Sequence, residues 1–274
     1  MDDRDYSSFS PSSRRRFFRL AGTAFVVSSA GCLDGEDDED DEEATPTPTP
    51  TPSPTPEPPE TTDDPHGAVE DGDAVARVAH LSPDAPAVDV FLDGAVAFSD
   101  LAFREISAYV VLEPDSYEIE VAPAGEETPV GGESVEFEAE AHTVAALGEV
   151  SGVNQPLEIV PFVDEVEPPG EGEDEARVRL LHAVPDAPAV DVLAEDEPLF
   201  EDVSFGESSD YATVAADEYE LEVRDAEADD ELATVEAEFE PGVGSGFAVG
   251  YLAPDEAPVP EEFDVEWTVD SGGQ

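Results

Sequence analysis

The chain has 274 residues, of which 71 are Asp or Glu and only 10 are Lys or Arg, for a formal charge of −61. This charge excludes nucleic acid as a partner, because the protein would repel the phosphate backbone that supplies much of the affinity in such complexes. The single Cys, Cys32, excludes an intrachain disulfide.

The acidity has three interpretations: disorder, cation binding, or a surface adapted to very high salt. Disorder fits residues 33–73, but elsewhere Val, Ile, Leu, Phe and Tyr recur with a strand-like alternation that predicts a packed core. In molar salt the Debye length shrinks to ~3 Å, which removes most of the self-repulsion. We therefore expect a protein of an extreme halophile, in which acidic clusters mostly serve solvation.

Residues 1–31 have the pattern of an export signal. Ser13–Arg19 reads SRRRFFR, which resembles the twin-arginine motif through Arg14 and Arg15. The apolar run Leu20–Ala30 follows. It is little more than half the ~20 residues that a membrane span needs, so it predicts a removable signal rather than an anchor.

The tetrapeptide Ser29–Cys32 resembles a lipobox, whose Cys is lipidated and becomes the first residue of the mature protein. Only a thiol can carry a thioether-linked lipid, and Cys32 is the one available. Ser29 departs from the Leu that bacterial lipoboxes prefer, whereas haloarchaeal ones are looser. The two signals predict an exported protein held by Cys32 on the outer face of the cell membrane of a haloarchaeon.

Residues 32–75 read as a disordered linker. Asp34–Glu43 is almost entirely acidic, and Thr45–Pro59 reads TPTPTPTPSPTPEPP. Pro at every second position forbids helix and ladder pairing, and favours an extended stalk of ~45 Å. Thr/Ser–Pro runs are also typical of O-glycosylated stalks. The candidate acceptors are Thr45, Thr47, Thr49, Thr51, Ser53 and Thr55.

The octapeptide PDAPAVDV occurs twice, at Pro83–Val90 and at Pro185–Val192, so that residue n of the first copy corresponds to residue n + 102. Aromatic residues keep the same offset, as Tyr117 and Tyr219 do. The pattern predicts a tandem duplication. We place β-sandwich repeat 1 at 76–165, an acidic Gly/Pro linker at 166–176, and β-sandwich repeat 2 at 177–274.

Within each copy the apolar residues alternate with polar ones, as in Tyr117–Val121, which reads YEIEV. Such half-buried strands, separated by Pro, Gly and Asp turns, predict an all-β fold of two tandem antiparallel β-sandwich domains. No stretch has a convincing helical period. Pro83–Pro86 forms a rigid turn between the first two strands of its copy.

The motif H-x-[SV]-P-D-A-P-A-V-D-V, followed by S-x-Y and by Y-x-[IL]-x-V, resembles the domain-of-unknown-function family 4397. The resemblance covers about Ala76–Asp164 and Arg177–Asp270. It implies Ig-like β-sandwiches in a secreted or cell-surface protein. The family carries no assigned activity, so the resemblance implies no catalytic residues.

Both copies repeat one His and two Asp residues: His80, Asp84 and Asp89, and His182, Asp186 and Asp191. The His and the second Asp lie on neighbouring strands, where a pair could orient a metal ligand or a general base. A structural hydrogen bond that closes the Pro-rich turn is the favoured interpretation. The first Asp fits capping of a turn better than Ca²⁺ ligation, because no acidic loop of EF-hand type accompanies it.

The chain contains no H-E-x-x-H, no Ser-His-Asp order and no Gly-rich phosphate loop, so we expect no enzyme activity, no cofactor and no metal. The architecture favours a non-enzymatic surface module for adhesion, envelope organisation or ligand binding, with an envelope protein or a glycan as partner. The alternative is a surface hydrolase or substrate-binding lipoprotein with a His/Asp site. We expect a monomer whose two domains move relative to each other at the linker.

Overall fold

The computed structural model describes residues 59–62, 65–167 and 175–272. Arg14, Arg15, Cys32 and the stalk threonines lie outside the described residues. The regular structure is almost entirely β, with one short helix. The prediction of an all-β fold with two tandem β-sandwich repeats is confirmed.

The first repeat begins with a two-residue strand and a helix, and continues with eight strands. The elements are β1 (Thr61–Thr62), α1 (Pro65–Asp71), β2 (Ala74–His80), β3 (Val88–Leu92), β4 (Ala95–Leu101), β5 (Tyr109–Leu112), β6 (Ser116–Pro123), β7 (Gly131–Glu136), β8 (Ala141–Leu147) and β9 (Glu158–Asp164).

The second repeat has the same eight strands in the same order. They are β10 (Glu175–His182), β11 (Val190–Ala194), β12 (Glu197–Val203), β13 (Ala212–Ala215), β14 (Glu218–Asp225), β15 (Glu231–Glu238), β16 (Gly242–Val249) and β17 (Asp264–Gly272).

Each repeat is a sandwich of two sheets, which we call outer and inner. The outer sheets have the strand orders β4-β3-β6-β7 and β12-β11-β14-β15. The inner sheets have the orders β1-β5-β2-β8-β9 and β13-β10-β16-β17. Pairing is antiparallel except between β2 and β8 and between β10 and β16, which are parallel.

The core of each sandwich lies between its inner and outer sheets and follows from the alternation in the sequence. In repeat 1, Val88 and Val90 of β3 and Ile119 of β6 point inward and pack with Phe137 and with Val144 of the inner sheet. The charged residues between them on β3 and β6 point away from this core. The period of two therefore sets which face of each outer sheet is buried.

The two inner sheets face each other, so that the molecule has four layers. Every residue of β2 and of β8 is buried, because both faces of these strands are covered. A second core between the repeats contains Ala79, Leu81, Ala145, Leu147, Leu181, Ala183, Phe247 and Val249. This buried interface opposes the relative domain motion that the linker composition led us to expect.

Among the described residues, β1 has no counterpart in repeat 2. β1 pairs with β5, and α1 packs Ala68 and Val69 against Val75 and Tyr109 of the inner sheet. The sequence analysis predicted neither element, because each is too short to show a period. Within the described ranges, no helix has the length and apolar character to cross a bilayer.

Candidate functional site

The two histidines of the repeated motif are buried and hold the Pro-rich turns. His80 Nε2 donates to the carbonyl of Pro86 at 3.0 Å, and His182 Nε2 donates to the carbonyl of Pro188 at the same distance. Because a carbonyl can only accept, both rings carry the proton on Nε2. Burial lowers the pKa of both histidines below the usual value, so the neutral form is favoured.

The first Asp of each motif fixes a distant loop rather than its own turn. The Asp84 carboxylate accepts hydrogen bonds from the amides of Val150 (2.7 Å) and Ser151 (2.9 Å). In repeat 2, the Asp186 carboxylate accepts hydrogen bonds from the amides of Leu252 and Ala253, both at 2.9 Å. Each carboxylate therefore caps two consecutive amides of the loop that joins the last two strands of its own repeat, β8 to β9 or β16 to β17.

The second Asp of each motif stabilises an irregular hairpin. Asp89 accepts hydrogen bonds from the amides of Asp100 and Gly125, both at 2.8 Å. Asp100 has a φ of 58°, a left-handed conformation that a side chain rarely adopts. Asp191 holds Asp202 in the same way, at 2.7 Å. The carboxylates thus support the bulges of the β3–β4 and β11–β12 hairpins.

The structure therefore does not assemble the repeated His and Asp residues into one site. Each of the six has its own backbone partner, and none is hydrogen-bonded to another. Among the described residues, no group of three or more His, Cys, Asp or Glu side chains is placed to hold a metal ion. The structural role of these residues stays a prediction.

A buried network of charges, which the sequence analysis missed, joins the two repeats. Arg77 of β2 donates to Asp270 of β17 at 2.5 Å, and Arg179 of β10 donates to Asp164 of β9. All four side chains are at most 4% exposed. Each repeat supplies the arginine for one pair and the aspartate for the other, as in an isologous interface between two subunits.

Two hydroxyl groups complete the network. Arg77 Nε donates to Thr143 Oγ1 at 2.8 Å, and that hydroxyl donates to Asp164 at 2.6 Å. In the other half, Arg179 Nε donates to Ser245 Oγ at 2.9 Å, and Ser245 donates to Asp270 at 2.6 Å. The buried charges are therefore both paired and hydrogen-bonded, which is the condition for tolerating them in a core.

Tyr109 and Tyr211, the tyrosines of the repeated S-x-Y motif, cover this network. The Arg77 guanidinium lies 4.8 Å from the ring centre of Tyr109, and that of Arg179 lies 5.1 Å from Tyr211. The Tyr109 hydroxyl also donates to Asp164 at 2.7 Å. Burial raises the pKa of both phenols, so both stay protonated. The Tyr211 hydroxyl accepts a hydrogen bond from the amide of Glu165 at 3.1 Å.

The two aspartates of the network differ in their electrostatics. Burial opposes the charge of Asp164, but Arg77 and Arg179 outweigh it and lower the pKa of this carboxyl. Burial dominates at Asp270 and raises its pKa, although Arg77 acts in the opposite direction. The network is thus not electrically symmetric, although its residues correspond in the two repeats.

Two further contacts connect the repeats. Tyr251 donates to the Glu149 carboxylate at 2.9 Å, and these residues occupy corresponding positions, so they meet on the approximate two-fold axis. Arg104 of repeat 1 binds Asp264 and Glu266 of repeat 2, both at 3.1 Å. Arg104 has a φ of 72°, where repeat 2 has a glycine. The strained conformation is tolerated because the inter-repeat contacts hold it.

The outer sheets carry shallow acidic hollows. One of about 390 Å³ is lined by Glu218, Tyr219, Glu220, Glu236, Ala237 and Glu238. Another of about 510 Å³ lies at the corresponding end of β6 and β7 and is lined by Pro114, Asp115, Ser116, Glu136, Phe137, Glu138 and Ala139. These hollows present carboxylates on the outer sheets of the two repeats.

A family profile described as "Domain of unknown function (DUF4397)" matches residues 74–179 and 176–264. Each match covers one repeat and includes its His-Pro-Asp motif. No curated protein matches the chain significantly.

Several solved structures match the chain, with low identity and low TM-scores. The Bacillus anthracis TIE protein aligns with 66% of this chain at 9% identity and a TM-score of 0.21, and the aligned part spans 34% of that protein. The family CBM26 module of Eubacterium rectale Amy13K, solved with maltoheptaose, aligns with 72% of this chain and 96% of its own at 8% identity and a TM-score of 0.22. A Bacteroides fragilis protein described as a candidate for cell adhesion aligns with 73% of this chain and 98% of its own, at 6% identity and a TM-score of 0.21. Likenesses at these TM-scores carry no argument about function.

Proposed function

The chain belongs to the DUF4397 family, whose description names no activity. We propose that it is an exported surface protein with a lipid anchor, and that it binds an envelope protein or a glycan without catalysing a reaction. The proposal combines the signals of the N-terminal sequence with the geometry of the two repeats.

The observation that carries the binding role is the pair of acidic hollows on opposite outer sheets. Carboxylate oxygens accept hydrogen bonds from sugar hydroxyls. Two similar hollows on one rigid body allow bivalent contact, which raises avidity without tighter individual sites. A catalytic centre gains nothing from this arrangement.

The repeated polar residues support the same role. His80, His182 and their neighbouring aspartates direct their hydrogen bonds to backbone groups, which fits a scaffold that holds loops. A hydrolase would need a nucleophile, an acid or a metal beside them. This is why we favour the proposal over the alternative of a surface hydrolase or a substrate-binding lipoprotein with a His/Asp site.

The proposal includes adaptation to high salt. Glu218 lies opposite Glu238, and Glu220 lies opposite Glu236, in adjacent strands of the outer sheet of repeat 2. Directly opposed like charges destabilise a sheet. Molar salt screens such exposed pairs, so the arrangement suits brine.

Export and anchoring are tested in a haloarchaeal host by detergent phase partition of the full chain. We expect the wild type in the detergent phase with the membranes, and Cys32→Ser in the aqueous phase. Replacement of Arg14 and Arg15 by Lys keeps the charge and is expected to leave the precursor unexported. A Cys32→Ser protein that still partitions into detergent would contradict the lipid anchor.

Binding is tested in molar KCl against an array of envelope glycans and against envelope extract. Glu220→Gln with Glu236→Gln removes two charges from one hollow and retains the side-chain size, and we expect at least a tenfold loss of affinity. The matched control, Glu201→Gln, changes an exposed carboxylate of β12 away from the hollow. Equal binding by both proteins would rule out the hollow as the binding surface.

A further inference from the structure

The two inner sheets differ at one edge. In repeat 1, β1 pairs with the edge of β5 that faces away from β2, with Thr61 opposite Val110 and Thr62 opposite Tyr109. The amide of Val111 donates to the Glu60 carbonyl at 2.8 Å. A short segment of the chain itself therefore covers this edge.

The corresponding edge in repeat 2 is β13, which pairs with β10 on one side. No other strand of the described ranges pairs with it. Thr213 corresponds to Val111 and has the corresponding register, opposite Arg177. Its amide and carbonyl therefore point away from β10, as those of Val111 point away from β2. Thr213 and Ala215 are also exposed.

The composition of β13 differs from that of the other edge strands. Its residues Ala212–Ala215 include no charged residue, no Pro and no Gly. Every other edge strand longer than two residues contains at least one of these: β4, β7, β9, β12, β15 and β17. Such residues protect sheet edges against pairing with another chain. β13 lacks this protection in a protein that is otherwise heavily charged.

We propose that the edge of β13 pairs antiparallel with β13 of a second copy of this chain, which makes the inner sheet of repeat 2 continuous across a dimer. An antiparallel pair can be its own symmetry mate, so one strand serves as both partners. Uncharged residues then face uncharged residues, and the outward amide and carbonyl of Thr213 and the outward amide of Ala215 find partners. The Ala215 carbonyl already accepts a hydrogen bond from the Tyr219 hydroxyl at 3.1 Å. The geometry closes after two copies, because the equivalent edge in repeat 1 is occupied.

The other segments of this chain are poor occupants. The stalk sequence Thr45–Pro59 has Pro at every second position and cannot supply a ladder. Asp34–Glu43 would set a run of carboxylates beside an already acidic protein. Glu60–Thr62 is already paired with β5.

Net charge sets the conditions for this dimer. Two copies at −61 repel each other at low ionic strength, which keeps the chain monomeric there. The interface consists of backbone hydrogen bonds and small side chains, whose strength does not depend on salt bridges. The dimer is therefore favoured by rising salt, whereas an interface of ion pairs would be weakened by it.

The test is sedimentation of the full chain carrying Cys32→Ser, which prevents lipidation, from 0.2 to 3 M KCl, a range chosen to span weak and strong screening. We expect a monomer at the low end and a dimer at the high end. Thr213→Pro removes the outward amide and is expected to leave a monomer throughout, whereas the control Thr213→Ala keeps the amide and the dimer. Hydrogen exchange should show protection of the Thr213 and Ala215 amides only in the dimer.

A wild-type chain that is monomeric at every salt concentration would overturn the proposal, and so would a folded Thr213→Pro chain that still forms dimers. Circular dichroism establishes whether this variant folds. If it does not, Thr213→Asp places a charge at the same edge without altering the backbone, and its dimerisation would equally overturn the proposal. Protection of these amides at the same level in the monomer would assign the edge to another partner.

Discussion

Arg77 and Asp270 lie 193 positions apart in the chain, yet their side chains meet at 2.5 Å in the core between the repeats. The corresponding residues Arg179 and Asp164 form the reciprocal pair. The interface between the repeats thus has the symmetry of a homodimer within one polypeptide.

Replacing Arg77 by Met should leave Asp270 as an uncompensated buried charge and lower the free energy of unfolding by ~3–5 kcal/mol. Chemical denaturation in molar KCl measures the change. Adding Asp270→Leu should restore most of the loss, because an apolar pair replaces the ionic one. The control is Arg224→Met, which removes a partly exposed, solvent-screened ion pair with Glu222 and should cost much less. Equal losses at the two arginines would contradict a buried network.

Stability should fall in mild acid because of His80 and His182. Burial lowers the pKa of both, so below ~6.5 the unfolded chain binds more protons than the folded one. The contribution of the two histidines to the free energy of unfolding is therefore complete above pH ~6.5. It decreases as the pH falls, by up to ~1.4 kcal/mol per pH unit for each histidine. Melting temperatures from pH 8 to pH 5 follow this directly. A His80→Gln, His182→Gln chain should have a flatter profile, and an unchanged slope would show that other groups are responsible.

Asp84→Ala should release the loop at Val150 and Ser151. The carboxylate holds both amides, and removing its charge-assisted hydrogen bonds should cost ~1–3 kcal/mol. Hydrogen exchange at these two amides should accelerate, while exchange in the outer sheet stays unchanged. Asp186→Ala provides the internal control, since it should act on the corresponding loop of repeat 2 alone. Faster exchange throughout repeat 1 would mean that Asp84 supports more than this loop.

Gly246→Ala should destabilise repeat 2, because the new methyl group would lie 2.6 Å from the Trp267 ring. The expected loss is ~1–3 kcal/mol. The chain has one Trp, so its fluorescence spectrum should shift as the ring moves. Gly131→Ala is a matched strand substitution whose nearest contact is an ordinary 3.4 Å to the Leu157 side chain. An unshifted spectrum with full stability in Gly246→Ala would show that the ring adapts freely.

Glu236→Thr should stabilise the chain at low salt by up to ~1 kcal/mol, since Glu220 lies directly opposite. The gain should vanish in molar KCl, where the repulsion is already screened. Glu231 lies on the same strand opposite Arg224, so Glu231→Thr should bring no gain at either salt. A salt-independent effect at Glu236 would point to strand propensity instead.

The sequence predicted the sandwich cores well because they depend on local alternation. Tyr117–Val121 and its counterpart in repeat 2 lie in β6 and β14, with their apolar side chains inward. The duplication also identified corresponding elements without any structure, because an unbroken offset of 102 reports a shared fold.

The interface between the repeats was not predicted, because its contacts join distant parts of the chain and follow no local period. β2 reads AVARVAH, and every one of its residues is buried. This sequence resembles that of an ordinary buried strand and does not reveal that one face packs against the other repeat. A signal was nevertheless present in Arg77 and Arg179. In a chain with so few cations, two arginines that recur at corresponding positions within apolar strands indicate a buried partner of opposite charge.

The sequence predicted which residues form the candidate site but not all of their hydrogen-bond partners. The motif named His80, Asp84 and Asp89, and the partner of His80, the Pro86 carbonyl, lies within it. The partners of the two aspartates lie on other strands and loops, at distances along the chain that the motif does not encode. The structural interpretation was favoured from general frequencies of buried polar groups, and the geometry supplies the particular partners.

The attachment of β1 also determines how the molecule would respond to a pulling force. A tether that enters at residue 59 would first strain β1, which is joined to β5 by only two residue pairs, and then α1. Peeling these fifteen residues, 59–73, would release about 50 Å of chain before any tension reached β2 at the centre of the inner sheet. The first repeat thus carries a segment that would extend under an applied force while both sandwiches stay folded.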